Sequence, residues 1–179
     1  MDRNEWATPQ WLFDYFNAQY HFTLDPCATP ENAKCERYFT KEQDGLKQDW
    51  GISGWAFVNP PYGRGLLEPW VEKCFDQASP PTPFACGSVM LLPSRTERPW
   101  FHLLIKWAAE VNFIKGRIPF VPPPGVKPST NRENSIIAVV DPRYTGQLVI
   151  GSIDVADLKK GAAGNPRRRT VTFGGQYGA

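Results

Sequence analysis

The sequence predicts an α/β protein built on a mostly parallel sheet with helices on both faces. Three observations carry that expectation. Short apolar runs at 55–58, 87–92 and 111–114 have the length and β-branched or aromatic content of buried strands. The stretches between them place apolar residues at helical spacing. Strands alternating with helices in this way form a sheet covered on both sides, with ligands outside the carboxyl ends of the strands.

Taken in order, Thr8 is positioned to cap a helix whose first residue is Pro9, with Trp11, Leu12, Tyr15 and Phe16 on one face. A short strand follows at 22–24 and is stopped by Asp25-Pro26. Pro30 and Glu31 open a turn or short helix, and 37–40 reads as a second strand. The run 55–58 ends at Asn59-Pro60-Pro61-Tyr62, after which Leu66, Leu67, Trp70, Val71, Cys74, Phe75 and Ala78 mark an amphipathic helix closed by Pro80 and Pro81. The strand 87–92 stops at Pro93, and Thr96 can cap a helix carrying Trp100, Phe101, Leu104, Trp107 and Ala108. After the strand 111–114 comes a loop with five prolines, 119–134, which faces the rim as a candidate lid. The runs 136–140 and 148–150 are expected to close the sheet as an antiparallel hairpin across Asp141-Pro142-Arg143. This order puts Asp25, Asn59 and Pro93 along one rim.

Length and composition fit a single domain, expected at 1–158, followed by a basic, Gly-rich tail at 159–179 with no fold of its own. Of 179 residues, 41% are hydrophobic and seven are Trp, enough for a real core. The net charge of +2 divides into +5 in the tail and −3 in the rest, so the tail is a candidate phosphate contact. No apolar run reaches the roughly 18 residues of a membrane span, and the first ten residues lack a secretory signal, so a cytoplasmic location is expected. Four cysteines without a Cys-x-x-Cys pair and two histidines argue against a metal site, and Cys74 reads as a buried free thiol.

The tetrapeptide at 59–62 carries the most chemistry. An exocyclic amine is a poor nucleophile because its lone pair is conjugated into the ring. Acceptors beside its two protons draw the nitrogen toward tetrahedral geometry and free that pair. The side-chain oxygen of Asn59 and the carbonyl of Pro60 are such acceptors, Pro60 and Pro61 stiffen the turn, and Tyr62 offers a face for an extruded base. The plainer alternative is a tight turn ending a strand.

The segment resembles the catalytic tetrapeptide of the amino-methyltransferases, which use a Rossmann-like sheet and S-adenosylmethionine. Further segments match in order: Trp-Ala-Thr-Pro at 6–9, Asp-Pro-Cys-Ala at 25–28, Asn-Ala-Lys-Cys at 32–35, Asp-Gly-Leu at 44–46, Trp50, Leu-Leu-Pro-Ser-Arg-Thr at 91–96 and Phe-Ile-Lys-Gly-Arg-Ile at 113–118. Over about residues 5–140 the chain is similar to the phage-encoded Dam-like DNA N6-adenine methyltransferases, some of which belong to restriction-modification systems. The resemblance implies a class I methyltransferase fold and transfer of a methyl group to adenine in DNA. It implies that Trp6, Thr8, Pro9, Asp25, Pro26, Ala28, Asp44 and Asn59 contact the cofactor, Asp44 through the cofactor's adenine amine. Asn59, Pro60, Pro61 and Tyr62 are then catalytic, and Tyr62, Arg95, Lys115 and Arg117 substrate-binding, with no metal.

The chain departs from many relatives in lacking a second glycine near 25–28, and the interval from Asp25 to Asn59 is short for a full second strand. The acidic ribose ligand stays open between Glu36 and Glu42, and Asp49 rivals Asp44. Other activities compatible with the tetrapeptide are N4-cytosine methylation and methylation of protein glutamine or ribosomal RNA. A non-enzymatic alternative is a DNA-binding protein on the same fold. Recognition sequence and oligomeric state, monomer or weak dimer, are not encoded in these motifs.

Overall fold

The computed structural model describes residues 6–51, 53–79, 85–127 and 133–161, together with the backbone of 169–171. Among the described residues seven strands form one sheet: β1 (Phe22–Leu24), β2 (Trp55–Val58), β3 (Gly87–Pro93), β4 (Glu110–Lys115), β5 (Ser135–Val140), β6 (Val149–Asp154) and β7 (Arg169–Val171). Their order across the sheet is β1-β2-β3-β5-β4-β6-β7. Neighbours β1–β2, β2–β3 and β4–β6 are parallel, while β5 runs antiparallel to both β3 and β4, and β7 antiparallel to β6. Five strands therefore share one direction, and their carboxyl ends form a continuous rim.

The helices described cover the faces: α1 (Gln10–Tyr20), α2 (Leu67–Ala78), α3 (Pro99–Trp107) and α4 (Val155–Gly161). Side-chain alternation along the strands divides the core in two. Ala56, Val58, Met90, Leu92, Ile136 and Ala138 pack beneath α2 and α3, with Leu67, Val71, Cys74 and Leu104. Phe57, Val89, Leu91, Ile137 and Val139 pack beneath α1 and α4, with Leu12, Phe16 and Leu158. β3 and β5 are buried at every position, as strands covered on both faces must be.

The expected C-terminal hairpin is corrected. β5 and β6 are not neighbours, because β4 lies between them. A strand apolar from Ile136 to Val140 gains most at the centre, so β5 sits between β3 and β4, leaving the half-exposed β6 outside. The 141–148 connection passes the start of β4, where Ala109 N–H donates to Val139 and Val149 N–H to Ala109.

Local expectations shift in four places. Pro9 itself occupies the cap position of α1, without a side-chain cap, because the Thr8 hydroxyl is engaged elsewhere. α3 starts at Pro99 behind Arg98, leaving Thr96 exposed in the preceding turn. Residues 37–40 do not form a strand; only Tyr38 bridges Asp25, in the parallel sense. The segment is instead drawn around Asp25, whose backbone bonds to Arg37 and Phe39 and whose carboxylate accepts from Lys34 N–H. Finally, α4 runs to Gly161 and β7 adds to the sheet, so the folded unit passes residue 158. Pro80, Pro81, Arg132 and tail residues 162–168 and 172–179 lie outside the described residues, and of Arg169 only the backbone is described.

Candidate active site

Asn59 follows directly on β2. The next two residues, Pro60 and Pro61, have no N–H, so the parallel ladder with β3 cannot continue. The carbonyl of Leu91 in β3 instead accepts from the Tyr62 hydroxyl at 3.0 Å. That hydroxyl lies 3.0 Å from Asn59 Oδ1 as well, and Asn59 Nδ2 donates to Thr8 Oγ1 at 3.1 Å. Thr8 is 3% exposed. It is held there because Ala7 and Val121 exchange two backbone hydrogen bonds, of 2.8 and 2.9 Å, joining the N-terminal segment to the proline-rich loop. From that loop Phe120 meets the Tyr62 ring edge-on, with centroids 6.4 Å apart. Burial pushes the Tyr62 phenol far above its ordinary range; nearby Glu133 adds to this and Arg95 opposes it. The hydroxyl therefore keeps its proton.

A second cluster lies at the end of the neighbouring β1. The buried Asp25 carboxylate accepts from the N–H groups of Cys27 (3.3 Å) and Lys34 (3.1 Å), and its backbone bonds to Arg37 and Phe39. This one residue gathers the 27–39 loop around itself, with Pro26 and Ala28 buried beside it. Burial raises its carboxyl to about 6, and the hydrogen bonds from Lys34 and Cys27 offset only part of that cost. Gly45 packs against this turn so closely that a Cβ would fall 2.3 Å from the Pro26 carbonyl oxygen. Trp50, fully buried, donates its indole N–H to Gly45 at 3.0 Å. Asp44 precedes Gly45 in the left-handed region (φ 54°), accepting from Leu46 N–H at 3.3 Å and pairing with Lys47 at 3.0 Å.

On the other side of Tyr62 opens a cavity of about 670 Å³, bounded by Arg64, Trp100, Arg95 and Glu133 among others. Arg95 pairs bidentately with Glu133, at 3.0 and 2.5 Å, and donates to the Tyr62 carbonyl at 3.3 Å. Arg95 thus braces the tetrapeptide from behind. Lys115 is exposed at the end of β4 and paired with Asp154 at 2.9 Å, and Arg117 is exposed two residues later. Both lie on the rim beyond β5, apart from Tyr62.

The structure brings Thr8, Asn59 and Tyr62 into one network and packs Asp44-Gly45 onto the Asp25–Ala28 turn. Trp6 is half-buried beside Ala7. Glu133, Phe120 and the Leu91 carbonyl were not legible as site groups. An arginine at the end of an apolar strand calls for a carboxylate, and Glu133 just before the apolar run 135–140 was the available signal. Phe120 had none, since an aromatic in a proline-rich loop has no periodicity. Among the described residues no cluster of three or more His, Cys, Asp or Glu could hold a metal, and no helix is long and apolar enough to cross a membrane.

A Rossmann-like sheet whose rim carries a rigid Asn-Pro-Pro-Tyr turn beside a buried carboxylate defines a methyltransferase acting on an amino nitrogen. The chain belongs to the DNA N-6-adenine-methyltransferase (Dam) family, whose model matches residues 1–163. It is 29% identical over 164 residues to the DNA N-6-adenine-methyltransferase of Haemophilus phage HP1, covering 89% of this chain and 91% of that protein. It is 32% identical over 114 residues to the DNA N-6-adenine-methyltransferase of Escherichia phage T1, covering 63% of this chain and 45% of that protein. Among solved structures, a predicted O-methyltransferase from Agrobacterium tumefaciens aligns at a TM-score of 0.45 and 13% identity, over 88% of this chain and 98% of that one. The reaction is methyl transfer to N6 of adenine in DNA, and membership of this family implies S-adenosylmethionine as the methyl donor.

Proposed function

We propose that the Asn59 carboxamide and the Pro60 carbonyl accept the two protons of an adenine N6 amine, the base being extruded from DNA against Tyr62. The observation that carries this is the Asn59–Tyr62–Leu91 network behind two prolines, which holds the turn and the Asn59 side chain at the strand end before substrate arrives. The cavity beside Tyr62 has room for a nucleotide, and Arg95 and Glu133 hold its inner wall. Arg64, Lys115, Arg117 and Lys127 are exposed cations along the same rim, suited to DNA phosphates. DNA is the partner, and the place of action is wherever that DNA lies, in the cytoplasm of a bacterial host.

S-adenosylmethionine supplies an electrophilic methyl group on a sulfonium sulfur. The residues present fit such a cation: Asp25 is a buried carboxylate that accepts from N–H groups of its own loop, feels the Lys34 charge nearby, and is still raised to about 6. Trp6, Thr8, Pro9, Pro26, Ala28 and Asp44 complete the proposed binding surface, Asp44 toward the cofactor's adenine.

The deciding experiment is transfer of a tritiated methyl group to unmethylated DNA, followed by nucleoside analysis. N6-methyladenine is the expected product. N4-methylcytosine, or label incorporated into RNA or protein only, would overturn the assignment.

Asp25 gives the cofactor site a pH dependence with a defined sign. A bound cation favours the ionised carboxylate, so affinity for S-adenosylmethionine should rise as pH increases through about 6 and level off above it. Stability of the free protein moves oppositely. Its folded carboxyl titrates near 6, above the ordinary 3.8, so this contribution is present below 3.8 and lost as pH rises through 6. Calorimetric titration at several pH values checks the first statement, and Asp25→Asn should flatten the profile. An affinity that falls as pH rises through this range would remove Asp25 from the cofactor site.

A further inference from the structure

The two ends of an asparagine carboxamide are nearly the same shape, and only one of them suits this chemistry. If Nδ2 faced the target amine, two donors would confront each other and the nitrogen lone pair would stay conjugated. The neighbours of Asn59 decide which end points where.

Tyr62 does not decide it. Its hydroxyl stands 3.0 Å from both Asn59 Oδ1 and the Leu91 carbonyl, and it carries one proton. With Oδ1 toward it, Tyr62 donates to the amide. With Nδ2 toward it, Tyr62 accepts from the amide and donates to Leu91, which can only accept. Both arrangements are satisfied.

Thr8 is the other neighbour. In the orientation observed it accepts from Nδ2 at 3.1 Å, and its own proton then has no acceptor among the described residues although the side chain is 3% exposed. A buried hydroxyl with an unspent proton is costly. Without another acceptor, Thr8 can equally donate to the amide oxygen, so the flipped carboxamide competes with the orientation observed. With an accept-only group nearby, such as a carboxylate, Thr8 donates to that group and can only accept from Asn59.

We propose that Thr8 is a positioning residue that fixes the Asn59 carboxamide with its oxygen toward the target amine once its own proton is taken by the carboxylate of the bound cofactor. This rests on the site reading above and adds a coupling to it. Cofactor occupancy locks the orientation of the catalytic amide seen here, so a target base meets a uniformly competent Asn59 in the loaded enzyme.

The test compares Thr8→Val, which keeps the shape and loses the hydroxyl, with Thr8→Ser, which keeps the hydroxyl. Thr8→Val is expected to lower kcat by on the order of 10- to 100-fold, less than losing a preorganised contact outright, and Thr8→Ser to restore most of it. A second readout does not depend on turnover. In protein labelled with 15N at asparagine, the Asn59 side-chain amide resonances, assigned by their loss in Asn59→Ala, should sharpen and shift when S-adenosylhomocysteine is added. In Thr8→Val they should remain unresponsive while the cofactor still binds. Wild-type kcat in Thr8→Val, a loss confined to the KM for cofactor, or a normal resonance shift in that variant would each overturn the proposal. Failure of the site reading looks different: the wild-type protein itself would bind no cofactor, or Asn59→Ala would turn over normally.

Discussion

Replacing Asn59 by alanine is expected to reduce kcat on DNA by on the order of 100-fold or more, with cofactor affinity little changed. The interaction lost is one that strengthens as the amine nitrogen becomes tetrahedral, so its absence is felt in the transition state more than in binding. The structure adds that the Asn59 carboxamide is engaged at both ends, by Thr8 and by Tyr62, and that Tyr62 can pass its proton to the Leu91 carbonyl whichever end it meets. Tyr62 should divide its contributions between two substitutions. Tyr62→Ala removes the aromatic face and should weaken capture of the extruded base by about 1–3 kcal/mol. Tyr62→Phe keeps that face and loses only the hydroxyl, so it should spare KM for DNA and lower kcat. Steady-state kinetics on a duplex oligonucleotide, with calorimetry for S-adenosylhomocysteine, separates these effects. Near-normal turnover in Asn59→Ala would remove Asn59 from the chemistry.

Trp50→Ala is expected to be the most destabilising single change near the site, at about 3–5 kcal/mol, a large share of the 5–15 kcal/mol that holds a typical domain folded. Trp50 is fully buried, its indole N–H bonds to Gly45 at 3.0 Å, and its backbone N–H bonds to Gln77 of α2 at 3.1 Å. Removing it leaves a cavity beneath the 40–50 loop, frees the Gly45 carbonyl, and loosens the packing of Asp44-Gly45 onto Pro26. For a chain of this size the midpoint of thermal unfolding should drop by roughly 10 °C. Trp50→Phe fills most of the volume without the N–H and should fall between. A thermal midpoint within about two degrees of wild type in Trp50→Ala would show that this loop is not held by its tryptophan.

The elements whose signal is local are legible in the order of residues. Helical spacing from Leu66 to Ala78 and the unbroken apolar runs of β2 and β3 are short-range patterns, and each sets an element and its buried face with little help from the rest of the chain. The tetrapeptide was equally legible, because two prolines stop a strand wherever they occur and so fix Asn59 at its end. Tertiary structure alone decided how these pieces combine. The runs 136–140 and 148–150 read as adjacent hairpin strands, yet the more apolar of the two gains more burial between β3 and β4 than beside its chain neighbour. Thr8 read as a helix cap, because a hydroxyl before Pro-Gln has a local use; the partner it takes is 51 residues away. Arg95 read as a substrate contact at a strand end, and only the fold brings Glu133 to it, 38 residues on. A hydrogen-bonding group leaves the same mark in the sequence whichever partner it finds, and only the assembled sheet determines which partners come within reach.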